Sequence, residues 1–381
     1  MHKSCLFFEQ IFPRLRIAFS LLILLMCSVC NAASPPAEDA IVLQLKWKHQ
    51  FQFAGFYAAL KEGYFADEGL NVTIREVDKH RSATEVVLSG DAQFGITDSS
   101  VVLARLEGQP LVVVAAIFQH SPMVLLALDS SEIFSPLELK NKRVMYQRNT
   151  DDAALLAMFT KLGLTEYDHT HVAHNFRDDV LVSGNVDAMS AYATDQPYIY
   201  QEKHIPVNII APIDYGIDFY GDMLFVEEGF LRKNKEKVLA FRRASLKGWK
   251  YAIDHQQVMV EWILANLNTD KTRAHLLYEA KKTVRLIQPK TIDLGSFNAN
   301  KFLGIAEIYK QLGFAPLTGE IAGIDYQEYY AEKPRYLVLL FNIALLVVLF
   351  WVCLMHYKWL RKEIVMRQLA LRKTPFLAKH Y

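Results

Sequence analysis

The sequence predicts an α/β protein with two lobes, carried in the segment 34–335. Between residues 41 and 189, strands of continuous apolar residues alternate with helical segments. This pattern is typical of a mostly parallel sheet covered by helices on both faces. The pattern stops and restarts once, near residue 142, and two such sheet systems within one segment indicate two lobes. We expect the second lobe at about 131–214.

The individual elements follow from apolar periodicity and from the positions of glycine and proline. In the first sheet system we predict strands at 41–45, 71–77, 93–96 and 111–117, with helices at 55–65, 83–88 and 99–106. In the second system we predict strands at 142–144 and 186–189 and a helix at 151–162. Residues 233–281 contain no proline and are predicted to be helical.

An apolar run at 17–30 follows three basic residues and precedes small residues at 32–34. This layout is typical of a secretory signal peptide, which we predict at 1–33. An uncleaved N-terminal anchor is the alternative, although a run of this length extends only about 21 Å as a helix. A lipoprotein is less favoured, because Val29 stands before Cys30 where a small residue is expected.

A second apolar run of twenty residues begins at Tyr336 and contains Asn342 as its only clearly polar side chain. That length crosses a hydrocarbon core of about 30 Å, so we predict a transmembrane helix at 336–356. The segment 357–381 carries seven basic residues and one acidic residue. The positive-inside rule therefore places this basic tail in the cytoplasm. The segment 34–335 then lies outside the inner membrane, most simply in the periplasm.

The composition excludes several classes of protein. The chain has 381 residues, of which 52% are hydrophobic and 22% charged, so it can bury a large core. The segment 34–335 carries 32 basic and 39 acidic residues, and an acidic body argues against nucleic-acid binding. All four cysteines lie inside or beside the apolar runs. Disulfides, cysteine nucleophiles and thiolate metal sites are therefore excluded from the body.

Candidate ligand-binding residues lie in loops that leave predicted strands, because ligands of open parallel sheets sit beyond the carboxyl ends of the strands. Five such loops stand out, and the fifth lies where the chain is expected to return to the first lobe. Their candidate residues are Trp47, His49, Gln52 and Phe53 in the first loop, Asp98 and Ser99 in the second, Gln119 and His120 in the third, Tyr192 and Asp195 in the fourth, and Tyr220 and Asp222 in the fifth.

Aromatic rings and amides interleave in the first loop, which suits a planar heterocyclic or amide ligand. We expect Trp47 and Tyr220 to stack on the ligand and Asp222 to bind an amino substituent of its ring. Each loop also has a plainer interpretation. Some of the rings, Phe56 among them, can belong to the core, Ser99 can simply cap a helix, and the third and fifth loops can be polar turns.

No signature of a common enzyme class is present, since the sequence lacks G-x-S-x-G, the P-loop and G-x-G-x-x-G. His169, His171 and His174 have a spacing that can hold a metal, but no carboxylate pattern accompanies them. We therefore predict no catalytic residue, no metal site and no cofactor.

Six sequence segments carry a resemblance to a known family. They are LKWKHQFQFAGFYAA (45–59), GYFADEGLNV (63–72), SGDAQFGI (89–96), EGQPLVVVAAIFQHSP (107–122), YATDQP (192–197) and YGIDFYGDMLFV (215–226). Together they resemble the solute-binding family for thiamine pyrimidine precursors and alkanesulfonates, over roughly residues 39–333. The resemblance implies a type II periplasmic-binding fold, in which two α/β lobes joined by two hinge segments close on a ligand.

More narrowly, the chain resembles the membrane-anchored version that serves as the periplasmic input domain of diguanylate cyclases and histidine kinases. This implies a sensor for a small planar nitrogen heterocycle, such as a thiamine pyrimidine precursor, with a cytoplasmic signalling partner. The binding component of an ABC importer, with a transporter partner, is an alternative, although such receptors are usually free or lipidated. The basic tail is too short for a cyclase or kinase, so we expect a truncated sensor, a gene fragment or a tethered receptor.

The family also includes thiamine pyrimidine synthase, which converts its own histidine and bound pyridoxal phosphate into the pyrimidine, with iron and a cysteine-rich motif. The first loop of such enzymes reads L-D-W-x-P-N-x-x-H-x-G. The matching positions here hold Lys46 for the aspartate and Phe53 for the histidine, while His49 lies four residues too early. These departures and the body without cysteine argue against the synthase, which stays the alternative to a binding protein.

Overall fold

The computed structural model describes residues 40–78, 80–147, 152–175, 177–331 and 336–372. The predicted signal peptide at 1–33 lies outside these residues. The chain divides after Tyr329 into two compact units, and each is described by itself.

The first unit contains alternating strands and helices. The strands are β1 (Ile41–Gln44), β2 (Val72–Arg75), β3 (Phe94–Thr97), β4 (Leu111–Ala116), β5 (Met123–Leu128), β6 (Arg143–Tyr146), β7 (Thr170–Ala173), β8 (Ala188–Tyr192), β9 (Val207–Ile210) and β10 (Met223–Glu227). The α-helices are α1 (Ala54–Lys61), α2 (Tyr64–Asp67), α3 (Ala83–Leu88), α4 (Ser100–Leu106), α5 (Ala153–Lys161), α6 (Gln196–Glu202), α7 (Glu228–Lys233), α8 (Lys235–Asp254), α9 (Gln256–Asn266), α10 (Arg273–Ile287) and α11 (Ala299–Gln311).

The first sheet has five strands in the order β2-β1-β3-β10-β4. Parallel pairing joins β1 to β2, with Ile41 opposite Val72, and β1 to β3. Strand β10 is antiparallel to both β3 and β4. Every residue of β1, β3 and β4 is buried, which explains their continuous apolar sequences and places this sheet inside its lobe.

The second sheet repeats this arrangement in the order β7-β6-β8-β5-β9. Strand β6 is parallel to β7 and β8, whereas β5 is antiparallel to β8 and β9. Each sheet is therefore mostly parallel, as predicted, with one strand reversed. The reversed strands, β5 and β10, follow the two segments in which the chain crosses between the sheets, residues 117–122 and 211–222. The first unit therefore consists of two lobes joined by two crossing segments.

Two predicted helical stretches are interrupted in the structure. The stretch predicted at 55–65 is divided into α1 and α2, because Gly63 adopts a φ of 73°. This left-handed conformation ends a helix and is one that glycine adopts at little cost. The stretch predicted at 233–281 covers α8, α9 and most of α10, with breaks at His255 and at Leu267, whose backbone is extended.

Helices α8 to α10 pack against the first lobe. Phe241 of α8 stacks on Phe94 of β3, with ring centroids 3.7 Å apart. Trp249 of α8 is fully buried and lies edge-on to Phe56 of α1. Helix α10 contacts residues 51–53 of the first lobe and α6 of the second. The C-terminal helices therefore attach to one lobe and reach across to the other.

The second unit contains one long helix, α12 (Tyr336–Arg372). Its 37 residues extend about 55 Å. Residues Leu340–Leu369 are long and apolar enough to cross a membrane, and they form the only such helix among the described residues. The run predicted as a transmembrane helix at 336–356 is thus helical, and the helix continues into the first part of the predicted basic tail.

Candidate ligand-binding site

Lys46, which lies just beyond β1, connects the two lobes. Its ammonium group donates to Asp98 Oδ2 at 2.5 Å and to the Tyr192 hydroxyl at 2.8 Å. Asp98 follows β3 of the first sheet, whereas Tyr192 ends β8 of the second. The Lys46 and Asp98 side chains are 13% and 11% exposed, so this ion pair is largely shielded from solvent. The structure therefore brings together the second and fourth predicted loops.

A second polar group joins the first predicted loop to the fifth. The Gln50 amide donates to Gln52 Oε1 at 2.6 Å, and the Gln52 amide donates to Asp222 Oδ2 at 2.7 Å. All three side chains are buried. Two acceptors of this group, Gln50 Oε1 and Asp222 Oδ1, have no hydrogen-bond partner among the described residues. Because a buried acceptor without a partner costs about 1–3 kcal/mol, a donor supplied by a ligand would be stabilised here.

The groups around Asp222 influence one another's ionisation. Burial raises the pKa of Asp222 to about 6, while Lys46 and the Gln52 hydrogen bond act to lower it and Asp98 acts to raise it. Burial also raises the pKa of the Tyr192 phenol well above its ordinary value. Tyr192 is therefore a protonated hydroxyl that can donate a hydrogen bond.

Glu279 of α10 holds the 3₁₀ turn Phe51–Phe53, which contains Gln52 and follows Gln50. Its carboxyl oxygens accept hydrogen bonds from Phe51 N at 2.9 Å and from Gln52 N at 3.2 Å. Gln50 precedes this 3₁₀ turn and makes no side-chain cap, so Glu279 satisfies N–H groups that a local cap would otherwise satisfy. Glu279 is fully buried, and this burial is the main cause that holds its pKa well above its ordinary value.

Asp195 of the second lobe lies against helix α10. Its carboxylate contacts the ammonium group of Lys271, and its Oδ1 atom lies 2.8 Å from His275 Nε2. The Asp195, Lys271 and His275 side chains are 5%, 11% and 8% exposed. The fourth predicted loop therefore contributes Tyr192 to the group around Lys46 and Asp195 to a separate buried ion pair.

Gln119 and His120 lie where the lobes are connected. Gln119 Nε2 donates to the Ser296 carbonyl oxygen at 3.0 Å. His120 Nδ1 lies 2.6 Å from Asp218 Oδ1, which joins the two segments in which the chain crosses between the lobes. The polar side chains of the third predicted loop are thus engaged by protein groups at the crossing.

The aromatic residues of the first loop take different positions. Phe53 is fully buried in the core. His49 Nδ1 lies 2.8 Å from the Tyr57 hydroxyl, and burial lowers the pKa of this imidazole. Trp47 is partly exposed beside Lys46.

Ser99 and Tyr220 line a small cavity between the lobes. The Ser99 hydroxyl donates to the Tyr220 carbonyl oxygen at 2.9 Å, and the ammonium group of Lys301 lies 4.5 Å from the centroid of the Tyr220 ring. The cavity is also lined by Asp98 of the first lobe and Ala153 of the second, and its volume is about 10 Å³. That volume holds about one water molecule, so a larger molecule does not fit here in this arrangement of the lobes.

The three histidines with metal-like spacing contact protein groups. His169 Nε2 lies 2.9 Å from the Tyr146 hydroxyl, and His171 Nε2 lies 2.8 Å from the Tyr146 carbonyl oxygen. Burial lowers the pKa of His174. The described residues contain no group of three or more His, Cys, Asp or Glu placed to hold a metal ion.

Three residues of the site were not selected from the sequence: Lys46, Gln50 and Glu279. Lys46 and Gln50 stand in the first loop, so their position after a strand was a usable signal. Glu279 lies within a helix, where an acidic residue usually faces solvent, and only its tertiary contacts identify it.

A comparison with known protein families identifies the family of this chain. Residues 50–258, more than half of the chain, match the family described as NMT1/THI5 like. The chain belongs to the NMT1/THI5-like family. The resemblance found from the six sequence segments is thereby confirmed. The matched span contains Gln50, Gln52 and Asp222, whereas Lys46 and Glu279 lie outside it.

Relatives of this NMT1/THI5-like chain include both binding proteins and enzymes. The formylaminopyrimidine-binding protein of Halalkalibacterium halodurans is 24% identical, over 71% of this chain and 83% of the relative. The riboflavin-binding protein RibY of Chloroflexus aurantiacus is 27% identical, over 61% and 72%. The 4-amino-5-hydroxymethyl-2-methylpyrimidine phosphate synthase THI11 of Saccharomyces cerevisiae is 24% identical, over 57% and 68%.

Solved structures establish the fold. The aliphatic sulphonate-binding protein SsuA of Escherichia coli has a TM-score of 0.54 at 16% identity and covers 77% of this chain and 99% of its own. A Candida albicans protein described as having the generic periplasmic binding protein fold has a TM-score of 0.56 at 15% identity, over 76% and 94%. The predicted periplasmic-binding fold of this NMT1/THI5-like protein is therefore confirmed.

Proposed function

We propose that this NMT1/THI5-like chain is a membrane-anchored solute-binding protein or sensor input domain. Its ligand is a small planar nitrogen heterocycle, such as a thiamine pyrimidine precursor, bound between the lobes. The observation that carries this proposal is the pair of buried acceptors without partners, Asp222 Oδ1 and Gln50 Oε1. An amino group on a heterocyclic ring carries two N–H donors, which matches the number of these acceptors. The formylaminopyrimidine-binding relative supports this class of ligand.

The charges around Asp222 favour an uncharged or cationic ligand over a sulfonate. Burial is the main cause of the raised pKa of Asp222, the Lys46 ammonium group acts to lower it, and Asp98 acts to raise it. The charge of Lys46 is already paired with that of Asp98. A sulfonate beside Asp222 would add another negative charge, and two unit charges 4 Å apart repel by about 4 kcal/mol at an effective dielectric constant of 20. The likeness to SsuA proteins extends to the fold, while the polar groups of this cleft favour a hydrogen-bond donor.

The remaining contacts follow from the positions of the side chains. Trp47, partly exposed beside Lys46, is proposed to stack on the ring of the ligand. Tyr220 is proposed to line the ligand cavity, because it already lines the space between the lobes. Asp98 and Tyr192 are proposed to contact a polar substituent when the lobes close, since both lie at Lys46.

A binding role is favoured over the synthase activity of some relatives. Phe53 stands where the synthase motif has its histidine, and its side chain is fully buried in the core. The imidazole of His49 is engaged by the Tyr57 hydroxyl. No side chain of the described first loop therefore presents a free imidazole to the cleft.

The cellular arrangement proposed here places the body in the periplasm and α12 in the inner membrane. Support comes from the length and apolarity of Leu340–Leu369 and from the basic residues that follow the apolar run. The helix would connect ligand binding to a cytoplasmic signalling partner or to a transporter partner.

Calorimetry on the purified full chain tests the binding function. We expect heat from 4-amino-5-hydroxymethyl-2-methylpyrimidine or from its aminomethyl analogue, and Asp222→Ala should weaken that binding about ten- to hundredfold. Asp214→Ala is the matched control, because Asp214 is an exposed carboxylate on the same crossing segment. Binding of taurine with no response to either pyrimidine would overturn the proposal in favour of a sulfonate receptor. Unchanged pyrimidine affinity in Asp222→Ala would remove Asp222 from the site.

A further inference from the structure

Three of the four residues 192–195, which end β8 and lead into α6, make polar contacts between the lobes. Tyr192 accepts a hydrogen bond from Lys46 at 2.8 Å. The Ala193 carbonyl oxygen accepts one from the Tyr278 hydroxyl at 3.4 Å. Asp195 contacts Lys271 and His275. One short segment of the second lobe, residues 192–195, is therefore held by the loop after β1 and by the start of α10.

The Asp195 contacts are the strongest of this set. Lys271 and Asp195 form a charge-assisted hydrogen bond, and such bonds are about twice as strong as neutral ones. His275 Nε2 lies 2.8 Å from Asp195 Oδ1 without a hydrogen bond and closes this site on the other side. All three side chains are nearly excluded from solvent, so water screens them little. Helix α10 packs on the first lobe through residues 51–53, whereas Asp195 belongs to the second lobe. Separation of the lobes must therefore break both contacts.

The same helix also holds residues 50–53 of the first predicted loop, which we call the ligand loop. Glu279 lies four residues beyond His275, one turn along the same face of α10. Its carboxyl group fixes Phe51 N and Gln52 N, and the Gln52 side chain donates to Asp222. A single rigid element thus connects Asp195 to the group that is proposed to recognise the ligand.

We propose that Asp195, held between Lys271 and His275, is an inter-lobe latch that keeps the cleft closed, and that α10 couples this latch to the ligand loop. The latch concerns the closing equilibrium of the protein itself, and only its effect on ligand affinity rests on the proposed function. When the lobes open, water hydrates the three side chains again. This hydration offsets part of the Coulomb attraction in the closed state, so the lobes can still separate.

Inter-lobe distances in the ligand-free full chain test the latch. One spin label is attached at Asn71→Cys on the first lobe and one at Tyr167→Cys on the second, both exposed positions. The background replaces the four native cysteines with serine. Double electron–electron resonance then reports the populations of closed and open molecules.

We expect a predominantly short distance in the parent protein and a second, longer distance in Asp195→Asn. The closed-to-open ratio should fall at least about tenfold, because the change leaves the buried ammonium group of Lys271 without its carboxylate partner. Lys271→Met should open the lobes as well, and the double variant should open them no further than the more open single variant.

Glu228→Gln is the matched control. Glu228 pairs with Arg105 at 2.8 Å with side chains 19% and 13% exposed, but both residues belong to the first lobe. This variant should keep the parent distance. An unchanged distance in Asp195→Asn and Lys271→Met, with cooperative melting, would overturn the latch. If Asp195→Asn does not fold, Lys271→Met is judged by the same criterion.

A ligand measurement separates the latch from the binding proposal. The probe is 4-amino-5-hydroxymethyl-2-methylpyrimidine. It should dissociate from Asp195→Asn at least about tenfold faster than from the parent, in proportion to the loss of closed molecules. Opened lobes in Asp195→Asn, in a parent protein that binds no pyrimidine, would support the latch and contradict the proposed ligand. Opened lobes without faster dissociation of a bound pyrimidine would contradict the coupling through α10.

Discussion

Gly248 of α8 lies directly against Gly55 of α1, so close that a Cβ atom at position 248 would be 2.2 Å from the Gly55 carbonyl oxygen. A Cβ atom at Gly55 would in turn be 2.1 Å from the indole ring of Trp249. Helix α1 begins immediately after the 3₁₀ turn Phe51–Phe53, which contains Gln52 and follows Gln50. The close approach of these two glycines therefore fixes the element on which the first loop of the site is mounted.

Gly248→Ala should destabilise the fold, because the added methyl group meets main-chain atoms that cannot rotate away. Overpacking of this kind costs about 1–3 kcal/mol. Gly304→Ala on α11 is the matched control, since a Cβ atom there meets nothing within 4 Å. Its substitution should be neutral or stabilising by up to about 1 kcal/mol. Thermal unfolding of both variants checks this, and equal melting temperatures would contradict the close packing.

The raised pKa of Asp222 predicts a pH-dependent contribution to stability. The folded-state pKa is about 6, against an ordinary value of 3.8, so the folded protein binds more protons than the unfolded chain between these values. The contribution of Asp222 is therefore fully present below about pH 4 and is lost as the pH rises through about 6. A shift of about two pKa units corresponds to about 3 kcal/mol.

Asp222→Asn removes this titration while it keeps an acceptor for Gln52. The variant should be more stable than the parent at pH 7.5, by up to about 3 kcal/mol, and the two should converge at pH 4. Chemical denaturation across this pH range measures the difference. Asp214→Asn, at an exposed position, should show a constant difference from the parent. If the parent is more stable than Asp222→Asn at pH 7.5, the ionised carboxylate of Asp222 is stabilised by a partner in the folded protein, and the prediction is wrong.

Glu279 offers a prediction that separates hydrogen bonding from charge. Phe51 N and Gln52 N donate to different oxygens of Glu279, so Glu279→Gln removes the charge and keeps an acceptor for only one of these two N–H groups. We expect it to lose about half of the stability that Glu279→Ala loses and to retain part of the pyrimidine binding. Glu279→Ala leaves two buried N–H groups without an acceptor. It should cost about 2–4 kcal/mol of stability and abolish pyrimidine binding. Calorimetry and melting of the pair decide this, and equal losses in both variants would assign the role to charge instead.

Six of the ten strands in the described residues followed from local sequence patterns, but β5, β7, β9 and β10 and the pairing of the strands did not. Apolar runs such as Leu111–Ala116 identify buried strands, because a strand inside a covered sheet needs no polar alternation. The return of the chain to the first lobe after Asp222 was expected, yet nothing local shows that β10 inserts between β3 and β4. Such pairing is determined by contacts between residues far apart in sequence.

The site was predictable where it depends on strand ends and not where it depends on helix contacts. Asp98 follows β3 and Tyr192 ends β8, whereas Asp222 directly precedes β10, and the structure brings the three to one region around Lys46. Asp195 also lies in a loop that follows a strand, between β8 and α6, but its partners Lys271 and His275 come from the start of α10. Their spacing is that of any amphipathic helix, so the sequence alone does not assign them.

The proposed topology predicts opposite behaviour of two reporter fusions. Alkaline phosphatase joined after residue 330 should be active, because it folds only outside the cytoplasm, and the same enzyme joined after residue 372 should be inactive. A green fluorescent protein at residue 372 should fluoresce. The apolar segment Leu340–Leu369 lies between the two junctions. Active phosphatase at both positions would contradict a membrane crossing by α12.

The last prediction concerns chemistry that some relatives perform. The purified chain mixed with pyridoxal phosphate and iron in air should form no pyrimidine, because Phe53 has no imidazole to supply and residues 34–335 contain no cysteine. The yeast synthase under identical conditions is the positive control. Mass spectrometry of the product and of the protein provides the measurement. A pyrimidine product accompanied by a loss of mass at His49 would show that this imidazole, 2.8 Å from the Tyr57 hydroxyl, is the reacting group, and the first loop would have to be aligned around it.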